Sequence, residues 1–257
     1  MSVQRLSRPD GHEIAFRRQD GRGPGVIFLG GFNSAMTGIK ASWLAERGRA
    51  EGRAFLRFDG FGHGESTGRV ADGTVGRWKA DALAAIDELT EGPQLLVGSS
   101  MGVWIASLAA EARPGRVVGL VGIAGAPDFT REVIEPSLPP EARKALETEG
   151  VWLRPSAYGP EPYPISRKAL EEAAAHFVLP RRLGLGIPVR LLHGTADADV
   201  PFDLSLRLAR TIDGPDTTVT LVPGGDHRLS AEADLALIGR AVDQLLASAA
   251  RPSRYVG

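Results

Sequence analysis

Leu95-Leu96-Val97-Gly98-Ser99-Ser100-Met101-Gly102-Val103-Trp104-Ile105-Ala106 is the stretch that decides the fold of this chain. A short apolar run of the kind found in buried strands ends at a Gly-x-Ser-x-Gly word. A helix-compatible stretch follows at once and continues through Ala110. The expected geometry is a strand, a sharp turn and a helix. Gly98 and Gly102 are required because side chains there would collide across the turn. The turn puts the central serine in strained backbone and raises its hydroxyl above the sheet edge. It also sets that serine at a helix N-terminus, where the dipole favours developing negative charge. Only Ser100 fits the register, since Ser99 would need a glycine at the position of Val97.

Outward from this word, short apolar runs alternate with helical patterns. Strands are expected at residues 13–16, 25–29, 54–58, 94–97, 117–123, 189–192 and 218–222. Helices are expected at about 36–49, 74–90, 101–112, 203–212 and 231–249. Continuous β-branched runs between helices indicate an α/β fold with a mostly parallel sheet covered on both faces. Residues 127–187 break the alternation. They are rich in proline, carry helical patterns near 138–149 and 165–177, and contain no strong strand run. The expected organisation is a core made of 1–126 and 188–257, with 127–187 inserted as a small helical cap.

The chain has 257 residues, 43% of them hydrophobic, a net charge of −1 and no cysteine. Thiol catalysis, cysteine-based zinc sites and disulfides are thereby excluded. The near-zero charge implies no strong electrostatic attraction to nucleic acid or to a membrane surface. No transmembrane helix is expected, and the N-terminus lacks an apolar signal core. A cytoplasmic protein of undetermined oligomeric state is the expectation.

A nucleophilic serine needs a base, and the base needs an orienting acid. In this type of fold the three follow in the order serine, acid, histidine. Two further words leave the carboxyl ends of strands: His193-Gly194-Thr195-Ala196-Asp197-Ala198-Asp199 and Gly224-Gly225-Asp226-His227. The set Ser100, Asp197, His227 fits the order. Asp199 and Asp128 stay open as alternative acids, and Asp226 is too near His227 in sequence to reach its outer ring nitrogen. Of the other histidines, His12 is expected at the surface and His63 in a glycine-rich turn shaping the site wall. His176 is placed on a cap helix, and His193 is expected to be buried and hydrogen-bonded. Two backbone N–H groups must hold the oxyanion. Met101 supplies one, and Phe32, with Asn33 as the alternative, supplies the other from Gly30-Gly31-Phe32-Asn33-Ser34. Trp104, Trp152, Phe177 and Val178 are candidates for an apolar acyl pocket.

Together these residues resemble the α/β-hydrolase superfamily over nearly the whole chain. A closer likeness lies in Gly31-Phe32-Asn33-Ser34-Ala35-Met36-Thr37-Gly38, Arg57-Phe58-Asp59, Val97 through Gly102, Gly225-Asp226-His227-Arg228, Gly150-Val151-Trp152 and Pro155-Ser156-Ala157-Tyr158. These words look like the branch that contains the animal mitochondrial palmitoyl-protein thioesterase, which also cleaves acyl glucuronides. The resemblance implies a serine hydrolase that acts on esters or thioesters of apolar acyl groups, with no metal or organic cofactor. The substrate would be a small molecule or an acylated protein. A broad carboxylesterase is the nearest alternative, and a non-catalytic ligand-binding module is the alternative of another class.

Overall fold

The computed structural model describes residues 2–156, 162–214 and 216–249. Strands β1 (Gln4–Ser7), β2 (Glu13–Gln19) and β3 (Arg22–Leu29) open the chain. Helix α1 (Ile39–Ala50), β4 (Arg53–Phe58), α2 (Val75–Leu89), β5 (Gln94–Ser99), α3 (Met101–Ala112) and β6 (Val117–Ile123) follow. The next stretch carries α4 (Glu135–Ser137), α5 (Pro140–Thr148), β7 (Val151–Arg154), β8 (Tyr163–Ser166), α6 (Arg167–Ala173) and β9 (Leu183–Gly184). The chain then adds β10 (Val189–Gly194), α7 (Asp203–Thr211), β11 (Ile212–Asp213), β12 (Thr217–Val222) and α8 (Glu232–Ala249).

Eight strands form one sheet in the order β1-β2-β4-β3-β5-β6-β10-β12. From β4 to β12 every neighbouring pair is parallel, while β2 runs antiparallel to both β1 and β4. The period of two along each strand splits the core into two layers. Leu96 of β5 faces the layer built with α2 and α3, which holds Trp78, Ile86 and Trp104. Leu95 and Val97 face the other, built with α1 and α8, which holds Leu44, Ile238 and Leu245. Every residue of β5 is buried, as a central strand covered on both faces requires. The fold is thus the expected α/β one, an α/β-hydrolase sheet with helices on both faces.

Three expectations need correction. The first helix begins at Ile39, three residues late, because Gly38 before it has extended backbone, with φ −58° and ψ 160°, while the Met36 N–H is held by Asp59 Oδ1 at 2.6 Å. The segment 127–187 does contain strands: β7 and β8 pair antiparallel, with Trp152 opposite Ile165 and Arg154 opposite Tyr163. Pro164 disguises β8 in the sequence, yet proline is tolerated in a strand that has a partner on one side only. Strand β1 was also not expected. It is four residues long and only Leu6 is even partly buried, so it carries little apolar signal. The 127–187 segment shares its apolar contacts with the rest of the chain. Ile134, Ile165, Ala173 and Val178 bury into the same cluster as Trp104 and Leu108.

The turn between β5 and α3 is packed too closely for any side chain. A Cβ on Gly98 would lie 2.5 Å from the Gly102 carbonyl oxygen, and one on Gly102 would run into the carbonyls of Leu29 and Gly30. Gly102→Ala is therefore expected to destabilise by about 1–3 kcal/mol and to lower the thermal midpoint by several degrees. Gly115→Ala, where an added Cβ meets nothing within 4 Å, leaves it unchanged. Thermal unfolding of the two variants checks this.

Candidate active site

Ser100 has φ 54° and ψ −122°, a conformation an L-residue adopts only under constraint. Three backbone bonds impose it. The Ser100 N–H donates to Ile123 O at 2.9 Å, and the Ser100 carbonyl accepts from Val103 and Ala126 at 3.0 and 3.1 Å. The hydroxyl is thereby aimed at His227. Ser100 Oγ lies 3.1 Å from His227 Nε2, and His227 Nδ1 lies 2.7 Å from Asp197 Oδ2. Ser100 and Asp197, which the sequence order singles out together with His227, thus each lie within hydrogen-bond reach of the His227 ring.

Two loops with little side-chain bulk bring the acid and the histidine together. Thr195 N donates to Val222 O, Ala196 N to Gly225 O, and Gly224 N to Thr195 Oγ1, all at 2.9–3.0 Å. A Cβ on Gly194 would strike the Gly225 carbonyl, so only glycine permits this approach. Asp226 does not reach the imidazole. Its Oδ1 accepts from the Arg228 and Leu229 N–H groups at 3.1 and 2.9 Å and sets the loop that carries His227.

The Asp197 side chain is fully buried and accepts four hydrogen bonds. Oδ1 takes the N–H groups of Asp199 and Val200, both at 2.9 Å. Oδ2 takes His193 Nε2 at 3.0 Å and His227 Nδ1 at 2.7 Å. Burial pushes this carboxyl up, but the bonds from His193 and His227 and the nearby imidazole charge outweigh it and hold the group well below the usual carboxylate range. Bonds to a charged acceptor stabilise by about 1.5–3 kcal/mol each, so four of them exceed the several kcal/mol that burying one ion costs. Of the alternative acids, Asp128 is buried and anchors the N–H groups of Val178 and Leu179 at 2.8 and 2.9 Å, while Asp199 lines the cavity with a carboxyl oxygen within 4.8 Å of Asp197 and His227.

The loop after β3 lies against Ser100, and a Cβ on Gly31 would stand 3.1 Å from Ser100 Cβ. Ser34 N and Oγ both donate to Gly31 O, which closes the turn. The Phe32 ring sits among His63, Trp78, Phe129 and Tyr163, with centroids 5.7–6.1 Å away, so its backbone is held in place. Among the described residues, neither the Phe32 nor the Met101 N–H is taken up by a hydrogen bond, and both residues line the cavity over Ser100.

That cavity has a volume of about 620 Å³, within the usual range for a small-molecule site. One wall is apolar, made of Phe129, Val133, Ile134, Tyr163 and Ile165, and Lys40, Arg154, Asp199 and Arg228 supply polar groups elsewhere on its lining. Lys40 Nζ donates to Arg228 O at 2.5 Å, and burial pushes its amine down to about 8. The four expected acyl-pocket residues lie elsewhere. Trp104 is fully buried beneath the site, its Nε1 donates to His176 O at 2.9 Å, and its ring stacks on Phe177. Val178 is equally buried, Phe177 lies under the Arg131 guanidinium, and Trp152 packs half-buried against the same core. Their apolar character reflects core packing, and strand β8, which went unrecognised, is what brings Tyr163 and Ile165 to the cavity. Of the quoted word Pro155-Ser156-Ala157-Tyr158, Ala157 and Tyr158 lie outside the described residues.

The remaining histidines separate clearly. His63 is buried with Nδ1 on Phe61 O at 3.0 Å, and burial pushes its imidazole down. His12 meets Thr67 Oγ1 at 3.2 Å, His176 pairs with Glu172 at 2.8 Å, and His193 is fully buried. Asp197, Asp199 and His227 bring potential ligand atoms within 4.8 Å of one another. The donor set does not fit a cation, because both Asp197 oxygens already accept two N–H bonds each.

The sequence profile of the alpha/beta hydrolase family matches residues 26–239. The chain is 42% identical over 246 residues to the palmitoyl-protein thioesterase ABHD10, mitochondrial, of Bos taurus, covering 95% of this chain and 80% of that protein. The solved structure of mouse alpha/beta hydrolase domain-containing protein 10 superposes with a TM-score of 0.88 at 41% identity, over 96% of this chain and 99% of the other. A putative hydrolase from Agrobacterium vitis S4 gives 0.91 at 36% identity, over 95% and 98%. These findings correct the expected cytoplasmic location, since the bovine, mouse and rat relatives are all named as mitochondrial. Targeting is read by receptors from short segments, so the composition of a folded domain does not report it. No helix among the described residues is long and apolar enough to cross a membrane.

Because the Asp197 carboxyl is held below its unfolded value of 3.8, its contribution to stability is fully present above that pH and is lost as pH falls through the lowered value. Asp197→Asn is expected to be less stable than the parent by a margin that is constant near neutrality and narrows below that pH. Urea unfolding of both proteins across the acid range measures it.

Proposed function

This chain belongs to the alpha/beta hydrolase family, and we propose that within it the chain uses Ser100, His227 and Asp197 to hydrolyse esters or thioesters of apolar acyl groups. It is a hydrolase of the thioesterase and esterase class. The relatives at about 40% identity are named palmitoyl-protein thioesterases, and an acylated protein is the proposed substrate here too. The observation that carries the residue assignment is the hydrogen-bonded run from Ser100 through His227 to Asp197 at a cavity with one apolar wall.

The chemistry follows from the geometry. His227 Nε2 removes the Ser100 proton as Oγ bonds to the acyl carbon, and the carbonyl electrons move onto its oxygen. Asp197 keeps the His227 proton on Nδ1 and stabilises the imidazolium. The unspent N–H groups of Met101 and Phe32 receive the oxyanion without reorganisation. Collapse of this intermediate breaks the bond to the leaving sulfur or oxygen, and His227 returns its proton to that atom. Water then attacks the acyl-enzyme with His227 again as base, which frees the acid and restores the Ser100 hydroxyl. Phe129, Val133, Ile134 and Ile165 offer the acyl chain an apolar surface. The segment 127–187 supplies those residues and would act as the cap over the core.

Treatment with a fluorophosphonate, followed by intact mass and peptide mapping, tests the assignment. A single adduct on Ser100 is expected. Ser100→Ala and His227→Ala should each lose activity on the order of 10⁶-fold in kcat, and longer acyl thioesters should be favoured over acetyl ones. A folded parent protein that takes no adduct and binds acyl esters only stoichiometrically would overturn the reading in favour of a ligand-binding module. Turnover of acetyl esters alone would favour a small-molecule carboxylesterase.

A further inference from the structure

We propose that His193, with Ser205 behind it, is a positioning residue for Asp197, an inference that rests on the triad reading above. The hydrogen-bonded run does not stop at the acid. His193 Nε2 lies 3.0 Å from Asp197 Oδ2 and 3.1 Å from Val200 O, and His193 Nδ1 lies 2.7 Å from Ser205 Oγ. His193 is the penultimate residue of β10, Asp197 follows it in the loop, and Ser205 sits on α7. An unbroken chain of side chains therefore joins a buried helix face to the nucleophile: Ser205, His193, Asp197, His227, Ser100.

Donor and acceptor arithmetic fixes the direction of the bond from His193 to Asp197. His193 Nε2 faces two acceptors, the Asp197 carboxylate and a carbonyl, so that nitrogen carries the proton. Nδ1 lies 2.7 Å from Ser205 Oγ, a hydroxyl that can donate to a bare Nδ1 or accept from a protonated one. Asp197 Oδ2 accepts from two imidazoles at once, one on each side. The His227 bond alone would anchor this oxygen poorly, because His227 is partly exposed on its loop and changes charge during turnover. His193 is fully buried and outside the proton path, so its bond persists through the whole cycle. The backbone N–H groups of Asp199 and Val200 pin Oδ1, and His193 pins Oδ2, so the carboxylate cannot turn its plane away from His227. A residue that merely filled space at the end of β10 would be apolar. A buried polar pair is retained at a desolvation cost unless each atom is bonded, and here each one is.

The test measures kcat and KM on a p-nitrophenyl acyl ester, the rate of fluorophosphonate labelling at Ser100, and the thermal midpoint for His193→Phe, His193→Gln and Ser205→Ala. His193→Phe should lower kcat and the labelling rate by about 10- to 100-fold with KM nearly unchanged. His193→Gln, whose amide can donate to Asp197, should recover most of that loss, and Ser205→Ala should show a smaller loss of kcat in a folded protein. A purely structural role would lower the midpoint and leave kcat at the parent value well below it, and that result overturns the proposal. If His193→Phe does not fold, the other two variants decide: a parent-like kcat in Ser205→Ala, together with no labelling of folded His193→Gln, also overturns it. A parent protein that fails to label at Ser100 defeats the triad reading itself, whereas a labelled parent with unaltered variants defeats only this inference.

Discussion

The bare backbone contact between the end of β3 and the start of α3 is the constraint on which the rest of the site depends. Gly102 sits against the Leu29 and Gly30 carbonyls, and Gly98 sits against Gly102. Because nothing intervenes, α3 starts immediately beyond the sheet edge, and its first residue, Met101, lines the cavity. The same closeness presses Gly31 against Ser100. The strained dihedrals of Ser100 are the consequence, and the bonds to Ile123, Val103 and Ala126 over-determine them.

The second organising element is a buried charge that never meets water. A carboxylate in the interior is normally a liability. Asp197 avoids that by accepting on every side, from two backbone amides and two imidazoles. Each donor comes from an element that must already be in place: the end of β10, the loop after it, and the loop after β12. The acid is therefore formed by assembly of the carboxyl edge of the sheet and has no counterpart in any one segment. The backbone bonds from Thr195 to Val222 and from Ala196 to Gly225 stitch those two loops together.

The cavity divides its labour between distant parts of the chain. Ser100 and His227 come from outside residues 127–187, while the apolar wall comes from that segment, which is tied down by its own buried carboxylate, Asp128. Trp104 shows how the two regions are joined. Its ring packs on Phe129 and Phe177, and its indole N–H is satisfied by the His176 carbonyl. A large aromatic four residues beyond Ser100 thus supports the wall from beneath and is not part of the cavity lining.

The order of elements was legible in the chain itself. Apolar period, turn chemistry and the glycine pair around Ser100 are local properties, and they specify a strand, a turn and a helix wherever they occur. Chain order also narrowed the acid and the base to residues at the ends of two strands, because an open sheet builds its site there. What the sequence left open was set by contacts between distant segments. Whether Asp197, Asp199 or Asp128 faces His227 depends on how two loops about thirty residues apart settle against each other. Whether Trp104 or Phe129 lines the cavity depends on which side of a shared core each ring falls, and hydrophobicity is the same on either side. The strand at Tyr163–Ser166 was hidden by its proline until its partner at Val151–Arg154 was beside it. Local backbone preference resides in the sequence, but the choice among chemically similar side chains is made by packing, and only the tertiary structure decides that.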